Sequence, residues 1–306
     1  MKEPCFTVII PTRNRAKSLI QSVESVLRGN IRPERILVVD NGSTDNTRRK
    51  IMALARREPS VRLLSWKKNN VSEARNWGAR TARTKWLVFL DDDCVAPPVW
   101  LERAASLIRK NTAKEMVLGG DYLLPAEQVP PESTSGPAMM PEGSYLPEGN
   151  LFMPRKLYLA FGGMNPDLGP NEKRFGYHEG TDLQIRIEQR NLKGSPRILA
   201  RELAVHHHQK PKNPLVTAFL SGLDLGRLKG GRAQGDLFYT ISRIGWLSAR
   251  LFGRIIYEGA VKSACRELLR IGEIWGSFHS VQGHIGASAM EQIGYSGRQG
   301  GRKRRA

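Results

Sequence analysis

Three short apolar runs in the amino-terminal third of the chain each end in a polar turn. The runs are Cys5–Ile10, Ile36–Val39 and Trp86–Leu90. Runs of this length are typical of buried strands, whereas Ala16–Leu27 has apolar residues at helical spacing. This alternation of strand, polar turn and helix predicts a mostly parallel sheet with crossover helices.

Polar side chains follow each run, at the point where the predicted strand meets its loop. Thr12 follows the first run, Asp40 the second, and Asp91, Asp92 and Asp93 the third. Ligands of such sheets bind outside the carboxyl ends of the strands. Adjacent carboxylates beside a buried strand need a compensating cation, and their hard oxygens suit Mg²⁺ or Mn²⁺. Each motif alone also fits a solvated turn or helix cap, but together they indicate a metal-assisted nucleotide pocket.

In this order, with helix-length stretches between them, the motifs resemble those of the inverting family-2 glycosyltransferases, whose nucleotide-sugar-binding fold is called GT-A. The resemblance covers about residues 5–210. It implies an α/β fold with a mixed, mostly parallel sheet flanked by helices. The matching segments are 8–15 (VIIPTRNR), 38–45 (VVDNGSTD), 72–76 (SEARN) and 89–93 (FLDDD).

The resemblance also implies a role for individual residues. An aspartate can accept a hydrogen bond from a base or ribose, and an arginine can donate charge-assisted bonds to phosphate. The divalent metal, Mn²⁺ or Mg²⁺, is expected on Asp93 and Asp91. The residues expected to contact the nucleotide sugar are Pro11, Thr12, Arg13, Asp40, Arg75, Asp91, Asp92 and Asn150.

A second acidic segment, His178–Ile187, resembles the helix-opening motif that supplies the catalytic base in this family. Two consecutive acidic residues are commonest there, but Gly180 takes the second position in this chain. We therefore predict Glu179 as the base, with Asp182 as an acceptor contact or a helix-start charge. Acidic residues in a first helical turn can also simply favour the helix dipole.

Three histidines, His206 to His208, follow where the family carries a histidine near the metal or the diphosphate. Alternation along a strand would place His206 and His208 on one face and His207 on the other. A neutral imidazole could bind Mn²⁺, and a protonated one could hold phosphate. Either His206 or His208 is predicted as the ligand.

The implied reaction is a single inverting displacement that moves a hexose from a nucleotide-diphosphate sugar to a hydroxyl of a glycan or lipid-linked acceptor, as in polysaccharide biosynthesis. The metal and Arg75 would neutralise the departing diphosphate while Glu179 takes the acceptor proton. A UDP-sugar is the favoured donor by resemblance, although the pocket residues also allow GDP or dTDP.

Composition adds a strongly basic second half. The net charge is +19 over 306 residues, and the predicted domains are 1–213 (GT-A), 214–290 (basic, amphipathic helices) and 291–306 (a flexible basic tail). The apolar face of such helices can enter an anionic membrane surface or pack on the catalytic domain. Three scattered cysteines and the lack of a leader or spanning segment predict a cytoplasmic protein. If the basic helices enter a membrane surface, the protein would be peripheral on the cytoplasmic face of the inner membrane.

Other functional classes explain less of the sequence. A nucleic-acid-binding protein would account for the basic tail but not for Asp40, the triplet Asp91–Asp93 or Glu179. A nucleotidyltransferase should carry a glycine-rich, lysine-bearing phosphate loop, which is missing. A noncatalytic scaffold with this fold stays open because of Gly180.

Overall fold

The computed structural model describes residues 4–111, 116–123, 138–140, 145–168, 178–190 and 197–207. The predicted basic helices 214–290 and the predicted tail 291–306 lie outside these residues. Within the described ranges, no helix is both long and apolar enough to cross a membrane.

The described chain begins with a regular alternation of strands and helices. The strands are β1 Phe6–Thr12, β2 Arg35–Asp40, β3 Val61–Ser65, β4 Trp86–Leu90, β5 Cys94–Val95, β6 Val117–Gly119, β7 Tyr122–Leu123, β8 Ala138–Met139, β9 Asn150–Pro154, β10 Arg197–Leu199 and β11 Val205–His207. The helices are α1 Ala16–Leu27, α2 Thr47–Arg57, α3 Val71–Thr81, α4 Trp100–Lys110, α5 Arg155–Ala160, α6 Glu179–Gln189 and a 3₁₀ turn at Arg201–Leu203.

Among the described residues, eight strands form a mixed sheet in the order β3-β2-β1-β4-β9-β6-β10-β8. The first four positions are parallel, whereas β9 runs antiparallel to both of its neighbours. The strands β5, β11 and β7 form a second, smaller sheet. The predicted mixed, mostly parallel sheet is therefore confirmed.

The central strands are buried on both faces, which explains their continuous apolar runs. Alternate residues point to opposite sides, so Val8 and Val88 join a core under α1, α2 and α4. Ile9 and Phe89 join a second core under α3, α5 and α6. This two-layered burial holds the carboxyl ends of β1, β2 and β4 side by side and so fixes the spacing of the polar residues that follow them.

Candidate active site

The loops after β1 and β2 form one edge of the site. Thr12 lies opposite Asp40 in the parallel register, and both side chains are buried. The backbone N–H of Ser43 donates to Asp40 Oδ1 at 2.9 Å, and Arg48 lies 3.8 Å from Oδ2. Asp40 therefore anchors the turn after β2. Of the other residues predicted here, Pro11 is buried within β1 and Arg13 is exposed.

Asp92 and Asp93, which follow β4, are bound by side chains from the end of β1 and the loop after it. The Thr12 hydroxyl donates to Asp92 Oδ2 at 2.7 Å. Arg15 pairs with Asp93 and lies 3.5 Å from Asp92 Oδ1. Burial raises the pKa of Asp92 to about 7, against the opposing charge of Arg15. Arg15 lies in the first matching motif but was not among the residues predicted to have a role.

Asp93 also meets the small sheet. His207 on β11 lies opposite Cys94 on the antiparallel strand β5, which brings His207 Nε2 to 3.3 Å from Asp93 Oδ1. Burial alone would raise the pKa of Asp93. The hydrogen bond with His207 and the positive charges of His207 and Arg15 outweigh burial. They hold the pKa of Asp93 below its usual value.

These residues form a candidate metal site. One ligand atom from each of Asp93, Cys94 and His207 lies within 4.8 Å of the others. Burial raises the pKa of the Cys94 thiol, so that the carboxylate and the imidazole are the better donors. The carboxylate oxygen suits Mn²⁺ or Mg²⁺, and the imidazole nitrogen favours Mn²⁺ of the two.

The structure selects a histidine that the sequence analysis did not. His207 reaches Asp93, whereas the predicted His206 lies opposite Val95 in the register of β5 and β11. The other predicted histidine, His208, lies outside the described residues. The face of β11 that meets Asp93 is decided by strand pairing, which the alternation of residues along a single strand does not reveal.

Arg75, on α3, joins the end of β4 to the start of α6. Its side chain is 4% exposed, and it donates to Asp91 Oδ1 at 2.7 Å and pairs with Glu179. Burial would lower the pKa of Arg75, but the charges of Asp91, Glu179 and Glu148 outweigh it and raise the pKa. The buried guanidinium is thus compensated by several carboxylates, of which Glu148 was missed by the sequence analysis.

Glu179 is the first residue of α6 and is 3% exposed. One of its oxygens pairs with Arg75, and within the described part of the chain Oε2 is buried without a hydrogen-bond partner. Burial and the neighbouring Glu148 raise the pKa of Glu179 to about 7. A carboxyl group with such a pKa can exchange a proton near neutral pH.

The two remaining predicted residues make internal contacts. Asp182 pairs with Arg186 at 2.7 Å, one turn along α6. Asn150 is fully buried at the start of β9, where its amide donates to the Leu203 carbonyl at 2.8 Å and accepts from Trp100 Nε1 at 3.2 Å. Asn150 thereby ties β9 to α4 and to the 3₁₀ turn beside the site.

The raised pKa of Glu179 predicts a pH-dependent stability. Between its ordinary pKa of 4.5 and the folded value of about 7, the folded protein holds a proton that the unfolded chain has lost. The free energy of unfolding should therefore fall as pH rises through this window. Asp92, also raised to about 7, contributes in the same direction.

Urea unfolding at pH 5 and pH 8 would measure this effect. The E179Q variant should lose less stability between the two pH values than the wild type, even though its stability at pH 8 is changed by the loss of the Arg75 partner. An equal loss in both proteins would contradict a raised pKa at Glu179.

The sheet order and the polar edge formed by β1, β2 and β4 define the GT-A class of glycosyltransferase folds, and comparison with solved structures confirms it. Staphylococcus aureus TarS 1-349 in complex with UDP-GlcNAc matches 91% of this chain and 92% of that chain, with a TM-score of 0.54 and 14% identity. The mannosyltransferase PcManGT from Pyrobaculum calidifontis, in complex with GDP-Man and Mn²⁺, matches 96% of this chain and 80% of that chain, with a TM-score of 0.56 and 15% identity.

Sequence comparison points to the same class of enzyme. Residues 7–120, less than half of the chain, match the model of Glycosyl transferase family 2. Glycosyltransferase GlyG of Streptococcus pneumoniae is 27% identical over 38% of this chain and 39% of that protein. Chondroitin synthase of Escherichia coli is 31% identical over 35% of this chain and 16% of that protein. The matched segments therefore span two fifths or less of these curated relatives.

Proposed function

We propose that this chain is a metal-dependent, inverting glycosyltransferase that moves a hexose from a nucleotide-diphosphate sugar to a hydroxyl of a glycan or lipid-linked acceptor. The convergence of Asp40, Asp93, His207 and Arg75 at one edge of the sheet carries this proposal. Carboxylate and imidazole groups beside a buried arginine suit a metal-bound diphosphate. The names of relatives such as chondroitin synthase support a glycan acceptor.

We favour a UDP-sugar as the donor. The GT-A fold is shared with TarS, which was solved with UDP-GlcNAc, and also with a mannosyltransferase solved with GDP-Man and Mn²⁺. GDP therefore stays the main alternative base. Association with an anionic membrane surface would depend on residues 214–306 and stays a prediction of the sequence.

Each part of the site has a distinct role in this reaction. A bound Mn²⁺ or Mg²⁺ would supply positive charge to the departing diphosphate. Asp93 and His207 would hold that ion, and Thr12 and Arg15 keep the aspartates beside it in place. Asp40, on the turn after β2, would face the nucleoside.

The proposed reaction breaks one bond as it forms another. The acceptor oxygen forms a bond to the anomeric carbon while the bond from that carbon to the phosphate oxygen breaks, and the electron pair leaves with the nucleoside diphosphate. The acceptor proton passes to a carboxylate near Arg75, and Glu179 belongs to this group. Attack from the face opposite the leaving group inverts the anomeric centre.

A thermal-shift screen against UDP-, GDP-, dTDP- and CMP-sugars, each with Mn²⁺ and with EDTA, tests the function. We expect one nucleotide class to raise the melting temperature only with metal, since a ligand at 100 times its Kd stabilises the folded state by about 2.7 kcal/mol. The same donor should release nucleoside diphosphate slowly. A shift without release would indicate a noncatalytic scaffold, and a shift with nucleic acid alone would contradict the proposal.

A further inference from the structure

Gly180 is the second residue of α6, and the side chain of Glu148 lies in the space that a side chain at 180 would take. A Cβ placed on Gly180 would lie 2.5 Å from Cβ of Glu148 and 3.4 Å from its Oε2. Real Cβ atoms do not approach this closely, so a side chain at 180 and the present side chain of Glu148 exclude each other. Glu148 therefore occupies the space beside Glu179 that residue 180 would otherwise fill.

The segment that carries Glu148 is held firmly against the end of β4. The backbone N–H of Asp91 donates to the Gly149 carbonyl at 3.2 Å. A Cβ on Gly149 would overlap the carboxylate of Asp91, so only a glycine lets the backbone lie so close. Because β9 begins at Asn150, two residues after Glu148, a strand of the main sheet holds the segment that carries Glu148.

Access distinguishes the two glutamates. Glu179 is 3% exposed, one of its oxygens is paired with Arg75, and the other is buried. An acceptor hydroxyl would have to displace protein atoms to reach it. Glu148 is less deeply buried as a residue than Glu179, and its charge acts on both Arg75 and Glu179. Of the two glutamates, Glu148 is therefore the one that an incoming hydroxyl can approach with less displacement of protein atoms.

We propose that Glu148 is a further catalytic residue, whose carboxylate takes the proton of the acceptor hydroxyl. The more deeply buried Glu179 is then a positioning residue for Glu148 and Arg75. This inference rests on the proposed transferase function. As the acceptor oxygen bonds to the anomeric carbon, its proton moves to Glu148, and the sugar–phosphate bond breaks with its electron pair on the diphosphate. The proton then leaves Glu148 to water.

The electrostatics are consistent with this role. Burial raises the pKa of Glu148, with Arg75 opposing that effect and Asp91 reinforcing it. A raised pKa makes a carboxylate a stronger base, and the nearby guanidinium keeps its anionic form available.

The first test replaces the carboxylate without changing its volume. We expect E148Q to lower kcat by about 10²- to 10⁴-fold, the usual contribution of a positioned base. The KM for the donor and the donor-induced thermal shift should stay as in the wild type, because Glu148 faces the acceptor. The control is E102Q, which changes an exposed carboxylate that accepts from Asn30. Activity of E148Q within threefold of the wild type would overturn the proposal.

A second test moves the carboxylate to the other segment. E148G should be nearly inactive, and G180D should be inactive and less stable because its Cβ meets Glu148. The double variant E148G/G180D removes that clash and returns a carboxylate to the same space, so we expect it to recover at least tenfold in kcat over E148G. If it folds as stably as E148G and recovers nothing, the carboxylate at this place is not the base.

The outcome for the wild type separates this inference from the function on which it rests. If wild-type protein consumes no nucleotide sugar, the transferase proposal fails and the role of Glu148 falls with it. If the wild type is active and E148Q is equally active, only the role of Glu148 is overturned.

Discussion

The R75M variant should lose about 3–5 kcal/mol of unfolding free energy, the cost of removing one partner from a buried ion pair. Arg75 is the buried cation between Asp91 and Glu179, with Glu148 nearby. Without it, the buried carboxylate of Glu179 would lie beside Asp91 and Glu148 with no cation, so some of these groups would have to take up protons or the segments would separate. Urea unfolding at pH 7.5 measures the loss.

R80M is the matched control, since Arg80 lies on the same helix α3 but is exposed. It should change stability by no more than about 0.5 kcal/mol. R75K should lie between R75M and the wild type because lysine keeps the charge but cannot make two diverging bonds. An R75M protein as stable as R80M would show that the carboxylates do not depend on this arginine.

The second large effect is expected at Asp93. D93A should lower metal-dependent turnover by at least about 100-fold, more than is usual for groups that only support a metal ligand. The Mn²⁺-dependent part of the donor thermal shift should disappear with it. The fold should survive, since the partners Arg15 and His207 are themselves partly exposed and can turn to solvent.

Two further variants define the metal site. H207A should resemble D93A, because His207 is the described histidine that reaches Asp93. D167N, at an exposed aspartate, is the control and should leave both turnover and the metal-dependent shift unchanged. Full metal dependence in D93A and H207A would place the ion elsewhere.

Local patterns were sufficient to predict three central strands of the sheet. The run Trp86–Leu90 was predicted as a buried strand, and it forms β4 at the centre of the sheet. The run Cys5–Ile10 was correctly predicted to be a strand. The predicted strand was too short, since β1 continues through Pro11 to Thr12. A proline is compatible with that position near the end of the strand, and the pairing of Thr12 with Asp40 shows why the two predicted nucleoside contacts lie together.

The site was only partly predictable. Adjacent carboxylates after β4 and an acidic start of α6 are visible as short motifs, so Asp91, Asp93 and Glu179 could be chosen from the sequence. Arg15 and Glu148 could not, because nothing near either residue in the chain indicates the carboxylates that they meet. Arg15 pairs with Asp93, which is far away along the chain and adjacent only after β1 and β4 have paired.

The sequence by itself determined the first strands, their polar ends and the resemblance to the family-2 glycosyltransferases, because each depends on residues that are close neighbours in the chain. The tertiary structure decided which of His206 and His207 meets Asp93, and that Glu148 fills the space left by Gly180. Both outcomes depend on how separate segments pair and pack. Strand register and side-chain volume each depend on two segments at once. They therefore determine which residues come together in the site.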